Sequence, residues 1–584
     1  MDNPIKIWRE LKDIYLKYID SGLPLSHDKL IQERRNLYEQ GTAICQPPII
    51  ELVPSYEEIA TLPDVCNDKD LCSDFADFAQ CGLFPDNGTI KRKLYKHQKE
   101  ALEFAIKKDV EQRKHIIATT GTGSGKTECF LLPVIADLVN ESKKWNKNRT
   151  KAVRTLILYP LNALAEDQMI RLRKSLNSES ARNWLDTNRE GHRFTFGRYT
   201  GKTETSGKKT DSKVKQNKEK EKEYVSAWEA AKRANDQNPN NDLLYHVTNM
   251  DESSAELWDR WSMQETPPDI LITNYSMLNI MLFRRQEDSI FEQTKKWLEE
   301  DENNVFHLVV DELHTYRGTA GTEVAYLLRL VLDKLGLHPN HKQLQFLASS
   351  ASMQKNEKTE VYLSSFFGVD RNQFDNKFKL LINPAHKAIT KEPTLSLPIE
   401  ILSQFTDIAS DEDISVAKDF IFAQTQCSSF NEIVEKYHLL DCLKYAMQDD
   451  ENPNVLKAKK VPDLVQKLFH NYESEKALEG LLLLFCQCKT KSGATLQPTR
   501  AHYFFRNIDG LWACSNPNCS EVEEKYKWDG RNVGKLYRSP GINTCSCGSK
   551  IYEALICRNC GEIYFTGFDN KSEDIRFLDR YPNS

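Results

Sequence analysis

The sequence lacks any apolar run of the roughly 20 residues that a helix needs to cross a bilayer. Its longest candidate, ALEGLLLLFCQC at residues 477–488, is about half that length and predicts a buried helix. The start of the chain lacks a charged leader with an apolar core and a small-residue cleavage site, and shows helical apolar spacing instead. These absences predict a soluble, cytoplasmic protein with no membrane partner.

The sequence has no excess of positive charge. Its 79 Lys and Arg against 85 Asp and Glu give a formal net charge of −6. This balance gives no global attraction to nucleic acid, so any such binding must come from a local basic surface. Internal repeats with a period of about 20 to 50 residues are also absent. With 584 residues, the chain is long enough for three or four domains.

Four segments are predicted along the chain. Residues 1–90 form a mostly helical N-terminal region. Residues 91–355 alternate short β-branched runs with helical segments, a pattern typical of a parallel sheet with crossover helices. Residues 356–500 are predicted to be helical, and residues 501–584 to form a compact cysteine-rich module. The predicted fold class is therefore α/β, flanked by helical regions and a small C-terminal module.

The predicted core strands are short apolar runs, each followed by a polar or glycine-containing turn where such folds place ligand sites. They are HIIAT at 115–119, TLILY at 155–159, DILIT at 269–273, FHLVV at 306–310 and LQFLASS at 344–350. A polar insertion at about 201–265 interrupts this pattern and begins with a stretch dense in Lys and Glu. Its composition predicts a solvated helical or disordered segment, and contact of its basic residues with nucleic acid is the alternative.

The stretch TTGTGSGKTECF at 119–130 predicts a phosphate-binding loop. Its glycines permit a tight turn with inward N–H groups, Lys126 supplies a cation for the β/γ-phosphates, and the Thr127 hydroxyl can reach Mg²⁺. Thr120 stands where the strict pattern has glycine. The flanking strand and helix would place the phosphate at a helix N-terminus. The predicted ATP-binding residues here are Thr120, Gly121, Thr122, Gly123, Ser124, Gly125, Lys126 and Thr127.

An acidic pair follows the predicted strand at 306–310. Asp311 at the end of this strand can hold the Mg²⁺ shell. The adjacent Glu312 is placed to orient and deprotonate water, and such a base contributes about 10² to 10⁴ in rate. Together with Lys126, these carboxylates predict a site for ATP hydrolysis.

The ordered motifs resemble superfamily 2 helicases of the DExH kind. They are HQ at 97–98, TGTGSGKT at 120–127, YPLNALAEDQ at 159–168, YTG at 199–201, ITNYSML at 272–278, DELH at 311–314 and SAS at 350–352. The resemblance implies that residues 91–355 are the first RecA-like domain. More narrowly, DELHTYRGTAGTEVAYLLRL and the cysteine module resemble the large bacterial helicases of anti-phage systems such as Druantia and DISARM.

The resemblance also implies roles for residues outside the phosphate loop. Gln98 would recognise adenine, and His314 would join the catalytic set. Coupling of hydrolysis to movement is implied for His314, Ser350 and Ser352, the last standing where the family often has threonine. Contact with the nucleic-acid backbone is implied for Asn162, Thr200, Thr273 and Asn274. The alternative for these four is ordinary capping, because Asn or Thr after a strand often caps a helix.

A second RecA-like domain is not found in the sequence: it has no Q-x-x-G-R-x-G-R motif and no second strand–helix alternation after residue 355. The resemblance then implies an ATP hydrolase completed by that domain, in a longer chain or a partner subunit. The predicted function is an ATP-dependent helicase or translocase acting on nucleic acid, with DNA preferred and RNA left open by the motifs, in anti-phage defence or repair. The alternatives are a duplex translocase without strand separation and a nucleotide-gated DNA-binding subunit without useful turnover.

Six of the 15 cysteines form close pairs near the C-terminus, in CSNPNC at 514–519, CSC at 545–547 and CRNC at 557–560. Without an export signal, this pattern favours a metal over disulfides. Four thiolates close a tetrahedral Zn²⁺ shell and leave no position for reactive water, so the predicted zinc is structural. The preferred ligands are Cys514, Cys519, Cys545 and Cys547. Cys557 and Cys560 either replace one of these pairs or belong to a second site.

Overall fold

The structure is a computed structural model, and its described residues form two compact units. Unit 1 takes its residues from 1–54 and 385–584, and unit 2 takes its residues from 55–384. The boundaries predicted near 90, 355 and 500 therefore fall inside these units. The described residues are 3–54, 56–68, 73–83, 92–121, 123–146, 149–238, 242–351, 353, 355–382, 388–411, 414–470, 474–490, 493, 495–508, 510–538, 541–572 and 575–579.

The helices are α1 Pro4–Gly22, α2 Asp28–Glu39, α3 Leu62–Asp68, α4 Ser73–Gln80, α5 Lys96–Ala105, α6 Lys126–Glu141, α7 Asn162–Leu176, α8 Glu179–Asn188, α9 Asp211–Gln237, α10 Arg260–Glu265, α11 Tyr275–Phe283, α12 Asp288–Glu300, α13 Gly318–Lys334, α14 Glu357–Phe367, α15 Phe374–Lys377, α16 Ile399–Asp411, α17 Ile414–Thr425, α18 Phe430–Lys436, α19 Leu439–Met447, α20 Val461–Phe469 and α21 Glu475–Gln487. Among the described residues, none of these helices is long and apolar enough to cross a membrane.

The strands are β1 Ile49–Leu52, β2 Glu58–Thr61, β3 Lys93–Tyr95, β4 His115–Ala118, β5 Thr155–Tyr159, β6 Phe196–Tyr199, β7 Glu256–Leu257, β8 Ile270–Asn274, β9 Phe306–Val310, β10 Leu344–Ser349, β11 Phe378–Leu381, β12 Lys459–Lys460, β13 Thr499–His502, β14 Trp512–Cys514, β15 Leu536–Tyr537, β16 Ile551–Ile556, β17 Ile563–Thr566, β18 Phe568–Ser572 and β19 Ile575–Asp579.

Unit 2 is built on one parallel sheet. Within its described residues, eight strands lie in the order β11-β4-β10-β9-β5-β8-β6-β7. Every pairing along this order is parallel. The predicted α/β class is therefore confirmed, and the five predicted core strands correspond to β4, β5, β8, β9 and β10. Because all strands run the same way, their carboxyl ends share one edge of the sheet.

The sheet of unit 2 is covered on both faces. Along β5, Ile157 and Tyr159 enter one buried cluster, while Leu156 and Leu158 enter the other. One cluster also contains apolar residues of α3 to α8, and the other those of α11 to α14. A sheet buried on both faces requires nearly continuous apolar strands, which is why these strands read as short unbroken apolar runs.

The polar insertion of unit 2 is mainly helical. Helix α9 covers 27 residues, of which Ala231 is the buried one. The tyrosine ring of Tyr224 lies 5.4 Å from the ring of Trp258, and its hydroxyl donates to Glu204 at 3.3 Å. The solvated helix predicted from composition is therefore present, and aromatic contacts hold it on the unit.

Unit 1 contains a helical cluster and a cysteine-rich module. Helices α16 to α21 share a core with Ile5, Ile50 and Leu52 from the first part of the chain. Strand β1 pairs antiparallel with both β12 and β13. The cysteine-rich module is a small antiparallel sheet in the order β15-β14-β16-β17. Helices α1 and α2 pack on that sheet through Leu16 and Leu30.

A buried ion pair joins α2 to the cysteine-rich module within unit 1. The Glu33 carboxylate accepts from the Arg531 guanidinium at 2.6 Å and from the amide nitrogen of Leu536 at 3.0 Å. The side chains of Glu33 and Arg531 are only 9% and 3% exposed. Removing one partner of such a pair leaves a buried charge without compensation, at a cost of about 3–5 kcal/mol. This pair therefore fixes how the first helices close on the module.

Candidate functional site

The candidate nucleotide site lies where the parallel strands of unit 2 end. The phosphate loop follows β4, Asp311 follows β9, and Ser350 follows β10, which lies between the other two strands. In parallel α/β sheets, ligands bind outside the carboxyl ends of the strands. The fold thus brings together motifs that are far apart in the sequence. Lys126 and Asp311, for example, are separated by 311 − 126 = 185 positions.

Backbone conformation defines the phosphate loop. Gly123 and Gly125 both have φ of +76°, in the left-handed region that favours glycine, and Gly125 precedes the first residue of α6, Lys126. The buried Thr120 hydroxyl lies 2.7 Å from the Ser124 hydroxyl, so threonine at this position closes the loop with a side-chain hydrogen bond that glycine cannot make. Thr122 lies outside the described residues.

The HQ motif supports the loop from α5. The His97 Nε2 lies 2.8 Å from the carbonyl oxygen of Ser124. Burial lowers the pKa of His97 below its ordinary value, although the Ser124 carbonyl opposes this shift. The neutral ring can therefore donate from Nε2. Gln98 accepts from the amide of Tyr95 at 3.0 Å and donates to the Gly125 carbonyl at 3.3 Å, which links the predicted adenine-recognising residue to the loop.

Tyr56 also contacts the phosphate loop, although sequence reasoning did not identify it. The backbone N–H of Gly121 donates to the Tyr56 hydroxyl at 3.1 Å. The Tyr56 ring packs edge-on against His97, with 5.0 Å between ring centroids. No motif contains Tyr56, so only the fold reveals that this tyrosine and the HQ motif form one support for the loop.

Replacement of Gly125 by Ala is expected to weaken Mg·ATP binding roughly tenfold, because a left-handed alanine costs about 1–2 kcal/mol. A Cβ at this position would also overlap the buried side-chain amide of Gln98. The measurement is a thermal-shift titration with Mg·ATP. Gly201→Ala is the matched control, since nothing lies within 4 Å of a Cβ there. Equal nucleotide affinity in the two variants would contradict the role of Gly125.

The acidic pair is held by the end of β10. The Asp311 amide donates to the Leu158 carbonyl at 3.1 Å, and the Asp311 carboxylate is hydrogen-bonded to the Ser349 hydroxyl. Glu312 has φ of +50°, and its amide donates to Asp311 Oδ1 at 3.0 Å. Glutamate rarely adopts this left-handed conformation, and such outliers concentrate at functional sites. Ser349 was not predicted, although its position at the strand end places it beside the DELH motif.

His314 connects the acidic pair with the SAS segment. Its Nδ1 lies 3.2 Å from Glu312 Oε2 and 3.4 Å from the amide nitrogen of Ala351. A single nitrogen cannot donate to the carboxylate and accept from the amide at once, so a change of tautomer or protonation changes which contact it favours. The amide of Ser350 donates to the Ala118 carbonyl of β4 at 2.8 Å. Ser352 lies outside the described residues.

The predicted nucleic-acid residues divide into two groups. Thr200 and Thr273 are fully buried, and the Thr273 hydroxyl donates to the Tyr199 carbonyl at 2.7 Å. Asn274 donates from its side-chain amide to Asn162 Oδ1 at 2.8 Å, at the surface. The Asn274 side chain also caps α11 by accepting from the Met277 amide. The two asparagine side chains thus meet at the carboxyl edge, where Asn162 is exposed and Asn274 is half-buried, while the two threonines act locally.

In unit 1, the four cysteines preferred from sequence converge. Their sulfur atoms all lie within 4.8 Å of one another, and Cys514–Cys547 and Cys519–Cys545 are both 3.5 Å apart. A zinc–sulfur bond of about 2.3 Å in a tetrahedron implies sulfur separations of roughly 3.8 Å. The residues therefore fit a single metal ion. Among the described residues, Cys557 and Cys560 lie outside this group.

The backbone around the four cysteines is shaped for close packing of their side chains. A Cβ on Gly534 would lie 2.8 Å from the Cβ atoms of both Cys514 and Cys519. Hydrogen bonds from Ser549 lower the pKa of Cys547 to about 6, whereas burial raises the pKa of Cys514. The Tyr537 hydroxyl donates to the Cys545 sulfur at 3.1 Å. Hydrogen-bond donors from Ser549 and the Tyr537 hydroxyl thus contact two of the sulfurs.

Comparisons with known proteins agree with the site. Residues 95–206 match the DEAD/DEAH box helicase family. The Druantia protein DruE of Escherichia coli is 30% identical over 98% of this chain and 33% of its own length. The uncharacterised ATP-dependent helicase MJ1574 of Methanocaldococcus jannaschii is 22% identical over 50% of this chain and 31% of its own length.

Among solved structures, the crystal structure of the DUF1998 helicase MrfA bound to DNA and AMPPNP aligns with a TM-score of 0.33 and 18% identity, covering 65% of this chain and 38% of that one. The chain spans about a third of the length of the two curated relatives. The sequence matches confirm the predicted resemblance: the chain contains a DEAD/DEAH box helicase domain.

Proposed function

We propose, from the helicase domain that the chain contains, that this protein is the ATP-binding part of a helicase or translocase that moves along DNA. The observation that carries the proposal is the meeting of the phosphate loop, the DELH acids and the SAS segment at one edge of a parallel sheet. The Ser350 amide donates to the Ala118 carbonyl at the end of β4, and the Glu312 amide donates at 3.3 Å to the hydroxyl of Ser349, the residue before the SAS segment. A site coupled in this way suits a motor that converts nucleotide state into movement.

In this proposal, Lys126 holds the β/γ-phosphates, and Thr127 and Asp311 hold Mg²⁺. Magnesium would neutralise phosphate charge during hydrolysis. Glu312 orients and deprotonates the attacking water. His314 then transmits the state of the Glu312 carboxylate to the SAS segment, because its Nδ1 lies within 3.4 Å of both Glu312 and Ala351.

The proposal includes a second RecA-like domain, in a longer chain or in a partner subunit. In the described part of unit 2, the parallel strands belong to one sheet, which supplies one wall of the nucleotide site. In related ATPases, an arginine brought from across the site contributes about 10³ to 10⁵ in rate. Movement along a strand also requires two domains that bind nucleic acid alternately.

The proposed biological setting is anti-phage defence. It is supported by the 30% identity with the Druantia protein DruE, which extends over 98% of this chain and includes the cysteine-rich module. That module is proposed to bind one structural Zn²⁺ through Cys514, Cys519, Cys545 and Cys547, whose sulfurs lie within 4.8 Å of one another.

The proposal is tested by ATP turnover in the assembly that contains this chain, with single-stranded DNA, duplex DNA or RNA added. DNA is expected to stimulate turnover, and Lys126→Ala is expected to abolish both turnover and the Mg·ATP-induced thermal shift. Lys144→Ala is the matched control, because Lys144 pairs with Asp301 on the surface. Stimulation by RNA alone would contradict the DNA assignment, and full turnover in Lys126→Ala would contradict the site.

A further inference from the structure

Helix α9 carries three lysines in an arrangement that the nucleotide site does not use. Lys215, Lys218 and Lys222 are all exposed. Because an α-helix turns about 100° per residue, positions separated by three and seven residues lie on one face, within an arc of about 60°. We call these three residues the lysine row. It extends over about 10 Å along the helix axis.

The lysine row keeps its charge available. Within the described residues, no ion pair or hydrogen bond involves the side chain of any of its three members. Two pairs of charges elsewhere on the same helix do form, Lys220 with Glu223 at 2.6 Å and Arg233 with Glu229 at 3.8 Å. Glu219 borders the row but lies beyond ion-pair distance of it. The row therefore presents three unpaired cations, and Asp211 and Glu219 are the acidic residues nearest to it on the helix surface.

Helix α9 is also fixed in place along its length. Its N-cap Thr210 accepts from the Lys213 amide, and the preceding Gly207 carbonyl accepts from the Trp261 indole at 2.9 Å. Tyr224 and Ala231 hold the later turns against the unit. A fixed helix presents its lysines at a constant spacing. A disordered basic tail, by contrast, loses conformational entropy when it becomes ordered on binding.

The segment that leads to the row begins at the same edge of the sheet as the predicted nucleic-acid contacts. The insertion begins directly after β6, at the Thr200 turn, and Tyr224 of α9 bonds Glu204 only four residues later. Exposed Lys202 and Lys208 lie in the connecting segment. Exposed basic side chains thus follow the chain from the carboxyl edge, where Asn162 is exposed and Asn274 is half-buried, onto α9.

We infer that the lysine row binds the phosphodiester backbone of nucleic acid and extends the track along which the proposed motor moves. This inference rests on the proposed function. Phosphates follow one another by about 3.4 Å of duplex axis on each strand, so a 10 Å row spans about three of them. The lysine-bearing face offers no large apolar side chain for insertion into a lipid surface, unlike a membrane-binding helix.

The test is fluorescence-anisotropy binding of duplex DNA, single-stranded DNA and duplex RNA across a salt series. The triple variant Lys215→Gln, Lys218→Gln, Lys222→Gln is expected to bind at least about tenfold more weakly at low salt. Its slope of log affinity against log salt is expected to fall by about 0.9 for each lost phosphate contact. Comparison of the DNA and RNA titrations shows which phosphodiester backbone the lysine row binds.

Two controls show whether binding depends on where the lysines lie or only on the total positive charge of the protein. Lys107, Lys108 and Lys144 line a cavity at the amino ends of the strands, so their change to Gln removes the same charge elsewhere and is expected to leave the slope unchanged. Changing the lysine row to Arg keeps its charge and is expected to keep binding. The Mg·ATP-induced thermal shift verifies that each variant is folded.

The outcomes distinguish this inference from the proposed function. Weaker binding and a lower slope in the lysine-row variant alone support the inference. Equal loss in both glutamine variants, or none in either, would overturn the lysine row while leaving the motor intact. Absence of nucleic-acid binding by the unaltered protein would instead reject the proposed function itself.

Discussion

Changing Glu312 to Gln is expected to lower ATP turnover by about 10² to 10⁴-fold while Mg·ATP binding persists. The amide keeps the shape of the side chain but cannot accept a proton from water. The left-handed φ of +50° and the hydrogen bond to Asp311 Oδ1 both belong to the backbone of residue 312, so the substitution preserves them. Single-turnover ATP hydrolysis and nucleotide titration of the same preparation measure the two effects separately.

The matched control for this substitution is Glu323→Gln. Glu323 lies on the exposed face of α13, in the same segment of the chain, and is expected to have normal turnover. A loss of nucleotide binding in Glu312→Gln would mean that this carboxylate holds the ligand rather than activating water. Near-normal turnover would show that a residue other than Glu312 acts as the base.

Changing Cys514 to Ser is expected to release zinc and to open the cysteine-rich module. Structural zinc sites contribute roughly 10–16 kcal/mol to folding, more than a small module obtains from its own core. Cys514 is the fully buried last residue of β14 and its sulfur lies beside the other three, so a hydroxyl there cannot restore the shell. We expect close to one zinc per unaltered chain, and rapid proteolysis within about residues 510–565 in the variant.

Cys560→Ser is the control for the zinc prediction, because Cys560 is exposed and lies outside the converged group. It is expected to retain zinc, and both variants are expected to retain Mg·ATP binding in unit 2. Zinc loss from Cys560→Ser would instead place the CRNC pair in the coordination shell. A metal-free Cys514→Ser protein with an intact, protease-resistant module would contradict a structural role for the metal.

Sequence patterns predicted the centre of unit 2 well because burial on both sides leaves a strong local signature. TLILY and FHLVV coincide with β5 and β9, since strands buried on both faces of a parallel sheet consist mainly of apolar residues. The same reasoning placed Lys126 at a helix start and Asp311 at a strand end, where the structure has them. At these positions, the structure predicted from the local sequence is the one that the fold has.

The parts that escaped prediction depend on partners distant in the chain. Strand β6 contains Gly197 and Arg198, so it reads poorly as a strand, yet it pairs with β8. Strand β12 consists of two lysines and exists only because Ile49 and Ile50 of β1 pair with it. Tyr56 and Ser349 reach the nucleotide site through tertiary contacts that no local motif encodes. The roles assigned to the site residues all stay predictions.

The buried Glu33–Arg531 pair has a consequence for the order in which the protein folds during synthesis. Its partners are separated by 498 positions. At a synthesis rate of about 5–20 residues per second, the ribosome needs roughly 25–100 s to reach Arg531 after it has made Glu33. Throughout that interval, Leu16 and Leu30 lack the module against which they become buried. All of unit 2 leaves the ribosome before unit 1 can close, so the apolar faces of the first helices lack their native partners throughout that interval.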